Sequence, residues 1–158
     1  MAKLQMDANE KKNPTTPDDF EKYAESIIRC ADEYATLAVA SFPFLFDKAI
    51  TAITTNMAFA CELYLKALLV KEQRRIVNGH KIDELFHSIQ SDEIKKHIKN
   101  RVGYDNFDLS IQEIKLAFTV ARYTYEYKQM ACDFKFLNLL MIALRSECKI
   151  LMEGNNNA

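Results

Sequence analysis

Proline and glycine are scarce in this chain, and their placement says more than their number. The 158 residues hold 3 prolines and 3 glycines, and Pro14, Pro17 and Pro43 all lie in the first third. From residue 44 onward no proline ring interrupts the backbone hydrogen-bond ladder, which favours long helices over that whole stretch. The 4 cysteines, Cys30, Cys61, Cys132 and Cys148, form no C-x-x-C pair and no Cys/His spacing of the zinc type, so a structural zinc site is excluded as a reading. The polar stretch 1–13 has no apolar signal core, so no disulfide framework is expected either. No segment approaches the roughly 20 apolar residues of a membrane span. Neither sign of charge dominates: 21 Lys and Arg face 22 Asp and Glu, a formal net charge of −1. Overall charge therefore gives no reason for tight nucleic-acid binding, although a local basic surface stays open. No phosphate loop, catalytic triad or paired-carboxylate site is present. The expectation is a soluble, cytoplasmic protein with no cofactor, no metal and no membrane partner.

What is there reads as one all-α domain. Hydrophobic residues make up 49% and charged residues 27%, enough to build a core and a soluble surface. Residues 1–15 read as a loose polar arm, 16–154 as the domain and 155–158 as a disordered tail. Thr16-Pro17-Asp18-Asp19 is a helix start, with Thr as N-cap, Pro at the first position and acids in the first turn. That helix should end near Pro43. A second helix spans residues 47–74, where Ile50, Ile53, Met57, Cys61, Tyr64 and Leu68 trace one buried stripe. Asn78-Gly79 is expected to close it. Short helices follow at 82–89 and 91–101, with a connection at 103–108. Ser110 and Glu113 read as a capping box opening a helix that turns Ile111, Ile114, Phe118 and Ala121 inward. A last helix opens near Cys132-Asp133, carries Leu137, Leu140, Met141, Leu144, Cys148 and Leu151, and stops at Gly154. The architecture predicted is an antiparallel up-and-down four-helix bundle with short extra helices.

Two stretches resemble something specific. Residues 58–69, with Glu62-Leu63-Tyr64-Leu65-Lys66-Ala67-Leu68-Leu69 at their heart, are followed by Gly79-His80-Lys81-Ile82 and Leu85. The pair resembles the HEPN superfamily, whose members often carry an E-x-x-L-K-A-L-L-like helix and then a G-H-x-[LI]-x-x-L turn. The resemblance covers residues 56–89 and extends more weakly over 118–144. It implies an antiparallel four-helix domain that pairs with a second copy, in toxin–antitoxin, phage-defence or RNA-processing settings. It also implies RNA or a nucleotide as ligand, or a cognate protein such as a nucleotidyltransferase as partner. Ribonucleolytic members carry an R-x(4–6)-H motif near the start of the last long helix, and two such motifs across a dimer form a metal-free cleavage site.

The sequence departs from that motif. Arg122 sits about where the family arginine would, but residues 127, 128 and 129 are Tyr, Lys and Gln. Tyr127 is a poor substitute, since a phenol with pKa near 10 is a weak base at neutral pH. Arg75 and His80 match the spacing formally, in a part of the chain where the family motif does not lie. About a third of such a match is expected by chance at this arginine and histidine content. His80 also fits the family's structural turn histidine.

Other candidates carry two readings each. Glu62 and Lys66 form an i,i+4 pair, which is either a helix-face salt bridge or, with Arg122 and Glu126, a polar pocket for a phosphate or base. Lys95, Lys96, His97, Lys99 and Arg101 make either a solvated helix end or an RNA-facing patch. Tyr123, Tyr125, Tyr127, Phe134 and Phe136 suit core packing, a dimer interface or base stacking. His87 and His97 read as ordinary surface residues without acidic neighbours at metal spacing. The functional expectation is a module acting by dimerisation or partner binding, with RNA or nucleotide as a candidate ligand; the alternative is a metal-independent endoribonuclease with a non-standard site around Arg122.

Overall fold

The computed structural model describes residues 13–44, 49–122 and 132–154, apart from the side chains of Ala121, Arg122 and Gly154. Most of the expected polar arm, residues 1–12, and the expected tail, 155–158, lie outside the described residues. All regular structure among the described residues is helical: α1 (Pro17–Ala40), a 3-10 turn at Phe42–Phe44, α2 (Ile50–Gln73), α3 (Ile82–His87), α4 (Asp92–Val102), α5 (Phe107–Glu113), α6 (Ala117–Arg122) and α7 (Phe134–Gly154). The chain is an all-α helical bundle.

Local chemistry sets most of the helix ends. At α1 the Thr16 hydroxyl accepts from the Asp19 amide at 3.1 Å while Asp19 Oδ2 accepts from the Thr16 amide at 2.9 Å, a reciprocal box. The Thr16 amide is the largest cause holding the Asp19 carboxyl down to about 2, with the Thr15 amide and the threonine hydroxyls adding to it. The Ser91 hydroxyl caps α4 by accepting from the Ile94 amide, and Gly103, at φ 64°, closes it. Asp133 Oδ1 accepts from the Phe136 amide at 2.9 Å and so opens α7.

Two boundaries differ from the sequence expectation. Helix α2 stops at Gln73, capped by Arg74 in a left-handed conformation (φ 49°), and Gly79 lies in the loop beyond. A non-glycine residue there costs about 1–2 kcal/mol. Ser110 is not a cap but a buried residue inside α5, and the helix expected from residue 110 is broken into α5 and α6. The break has a nonlocal cause: the Lys115 carbonyl accepts from the Ile82 amide at 3.2 Å, so the chain there serves the α3 turn.

Cross-helix contacts give the directions. Glu21 meets Lys71, Asp32 meets Tyr64 and Tyr34 meets Phe59, so α1 and α2 run antiparallel. Cys61 reaches the Leu137 carbonyl, Cys148 the Tyr64 carbonyl and Lys71 the Leu151 carbonyl, so α7 runs parallel to α2. His97 lies by Glu147 and Tyr104 by Phe136, which sets α4 antiparallel to α7. Helix α1 buries Ala24, Ile28, Ala31, Ala35 and Ala38, a mostly methyl-sized stripe that lets the two helices approach closely. Helix α2 is the central element. Ile53, Met57, Tyr64, Leu65, Leu68 and Leu69 on it are buried, each worth roughly 1.5–3 kcal/mol of transfer free energy. Against the sequence expectation that no segment approaches a membrane span, it is by length and composition long and apolar enough to cross one, but 72% of that stretch is buried inside the bundle. An all-round apolar helix is what a bundle centre requires.

Candidate functional site

A buried polar arrangement is built on Glu62. Its neighbours on α2 are apolar and buried, so its carboxylate, 1% exposed, sits inside the bundle. Lys66, one turn on, places Nζ 2.8 Å from Glu62 Oε1. The left-handed Arg74 turns the chain back, and residues 74–81 return His80 to the same oxygen, with Nδ1 at 2.9 Å. Oε2 of Glu62 is buried and has no hydrogen-bond partner among the described residues. One oxygen of a buried carboxylate thus takes two nitrogen partners, from α2 and from the turn. The sequence reading of Glu62 with Lys66 as an i,i+4 ion pair holds geometrically, and His80 completes it.

The imidazole of His80 remains 66% exposed. A carboxylate beside Nδ1 suits the tautomer that carries its hydrogen on that nitrogen, in which Nε2 is the acceptor of the ring. Arg75, the other half of the formal motif match, turns its Nε to Gln73 Oε1 at 2.7 Å. It lines a cavity of about 260 Å³ with Gly79, Lys81 and Glu84, whose walls do not include His80. Arg122 is the last described residue of α6, and its side chain lies outside the described residues, as do Glu126 and Tyr127.

The basic run is partly spent on internal pairing. Lys95 pairs with Asp92 at 3.3 Å, and Lys99 reaches both oxygens of Asp108 at 2.9 Å while lying 5.4 Å from the centroid of the Phe107 ring. Lys96 and Arg101 are exposed and have no partner among the described residues. Of the aromatic group, Phe136 is core, against Tyr104 and Phe107, and Phe134 packs on Phe42. Tyr123, Tyr125 and Tyr127 lie outside the described residues.

Two polar groupings escaped the sequence reading; most of their partners are far apart in the chain, although Glu93 lies only one helical turn before His97 and its spacing was there to be read. His97 is not without acidic neighbours: Nδ1 lies 3.5 Å from Oε1 of the buried Glu147 on α7, and Nε2 lies 3.9 Å from Glu93. Among the described residues no group of three His, Cys, Asp or Glu side chains could hold a metal. Asp32 Oδ1 accepts from the buried Tyr64 hydroxyl at 2.5 Å and from Arg145 Nε at 2.8 Å, tying α1, α2 and α7 together. Burial, and then the hydrogen bond to Asp32, push the Tyr64 phenol well above its usual range. The apolar stripe around Tyr64 was visible in sequence; its acidic partner was not. No family model matches the chain, and no curated protein and no solved structure is significantly similar to it.

Proposed function

We propose that this chain is a HEPN-like helical module that acts by association, pairing with a second copy or binding a partner protein, and holding RNA or nucleotide without cutting it, in a defence or toxin–antitoxin type of system. The resemblance of residues 56–89 motivates the family, and one observation supports the non-catalytic role. Glu62 Oε1 is shared by Lys66 and His80, so the turn histidine works as a tie between the 74–81 loop and the central helix. Arg75, its formal motif partner, faces a cavity that His80 does not line. A metal-free cleavage needs a proton acceptor for the 2′-hydroxyl and a donor for the leaving oxygen, and a positioned acid–base group is typically worth about 10²–10⁴-fold.

The second reading, a metal-independent endoribonuclease, draws on the same contact. A buried carboxylate beside Nδ1 of a largely exposed ring is also how an imidazole is oriented for proton transfer. The two readings part on a cleavage assay with mixed RNA and a chelator, run on the purified protein and on His80→Ala and Arg122→Ala. The expected outcome is no cleavage, with RNA retained in a salt-sensitive way. Cleavage lost with His80→Ala or with Arg122→Ala would establish the nuclease instead, and would say which residue carries it.

A further inference from the structure

The segment that joins α2 to α3 is basic, and its backbone donors are unspent. Residues 74–81 carry Arg74, Arg75, His80 and Lys81 and no acid. No backbone N–H of residues 75–81 donates to another described residue. Side chains hold the segment instead: His80 bonds Glu62, and Val77 packs against the core. Two residues at positive φ set its path, Arg74 at 49° and Gly79 at 105°. The segment so placed walls the cavity of about 260 Å³ together with α3. That cavity has two kinds of lining. Leu69, Val77 and Leu85 give it an apolar floor, and Arg75 and Lys81 bring positive charge to its rim.

We infer that this cavity holds one phosphorylated nucleotide, free or as a unit of an RNA strand, with its phosphate on Arg75 and Lys81 and its base against the apolar floor. The inference rests on the proposal above that the chain holds RNA or nucleotide. Arg75 is the anchor. Its Nε bonds Gln73 Oε1, which orients the guanidinium, and its other N–H donors have no partner among the described residues. A planar fork with free donors grips a phosphate at two oxygens. Lys81 pairs with Glu84, but the two side chains are 49% and 64% exposed; a pair so solvated is weak, and the ammonium is free to turn to a better anion. Two features oppose an anion here, the Glu84 carboxylate and the carbonyl end of α2, the latter equivalent to about half a negative charge. Arg75 and Lys81 on the wall, with Arg74 beside them, outweigh both. The unspent amides of the loop add donors of the kind that cradle phosphate. An apolar floor with a few convergent polar groups is the usual form of a small-molecule site, and this volume lies near the lower end of the roughly 300–1,000 Å³ such sites span, which suits one nucleotide rather than a run.

The test is titration of the full chain, with a chelator present, with adenosine 5′-monophosphate and with a labelled mixed-sequence RNA strand, read by calorimetry and fluorescence anisotropy. The nucleotide is expected to bind and to shift the amide NMR signals of residues 75–79. Where the RNA binds as well, the nucleotide should compete with it; binding of the nucleotide alone assigns the cavity to the free form. Arg75→Ala should weaken binding at least about tenfold, the loss of one charged hydrogen-bond pair. Arg75→Lys, which keeps the charge but not the fork, should recover only part of it. The one bond of Arg75 among the described residues is to Gln73, so helical circular dichroism and the melting temperature should not move. Lys135→Ala on α7, outside the cavity, should leave the affinity unchanged. Affinities that Arg75→Ala does not alter, with no shift of the 75–79 amides, would overturn the cavity while leaving the holding of RNA or nucleotide standing. No binding of either probe would overturn both.

Discussion

Removing the amine of Lys66 should be far more costly than removing it together with its carboxylate. In Lys66→Met the side chain keeps most of its length, but Glu62, 1% exposed and with Oε2 already without a partner among the described residues, is left with His80 alone. Stripping one partner from a buried ion pair costs about 3–5 kcal/mol. Because the ring of His80 stays in place and is itself largely exposed, the effect should fall at or just below the lower end, about 2–3 kcal/mol. At roughly 2–4 °C per kcal/mol for a chain of this length, the melting temperature should fall by about 4–12 °C. Glu62→Met with Lys66→Met deletes the stranded charge as well and should lie within about 1 kcal/mol of the unaltered protein. His80→Ala leaves the Lys66 pair in place and should cost about 0.5–1.5 kcal/mol. Urea unfolding followed by helical circular dichroism, with equal m-values across the set, gives the three differences and their coupling. If Lys66→Met cost under about 0.5 kcal/mol, or if the double substitution cost as much as the single, Glu62 would not be a buried, pair-dependent charge.

Two further outcomes follow from the titrating groups. Burial pushes Cys132 up to about 11 and lifts Cys61 and Cys148 further, the last two lying wholly inside the core; a thiol reagent near neutral pH should therefore label Cys30 first and reach Cys61 and Cys148 only on unfolding, and fast native labelling of either would contradict the packing. The Asp19 carboxyl, held down to about 2 from 3.8 by its hydrogen bonds at the helix start, has a depressed folded value. Its contribution to stability is therefore fully present above about pH 4 and is lost as pH falls toward 2; an NMR titration of the Thr16 amide should turn over near pH 2, and a midpoint at 3.8 or higher would mean that the capping box does not hold in solution.

What the sequence made legible was local. Thr16, Ser91 and Gly103 act within four residues of themselves, and each stands where its helix begins or ends. The i,i+4 spacing likewise placed Glu62 beside Lys66. Arg74 was not legible, because no propensity marks an arginine for the left-handed region, and Gly79 nearby offered a better local signal. The break between α5 and α6 was hidden for a different reason: it answers to the Ile82 amide, a partner that only the folded chain brings to Lys115. The same holds at the candidate site. His80 reaches Glu62 across the 74–81 turn, and Asp32 reaches Tyr64 and Arg145 from two other helices. Helical periodicity shows that a polar residue is buried; it does not show what satisfies it.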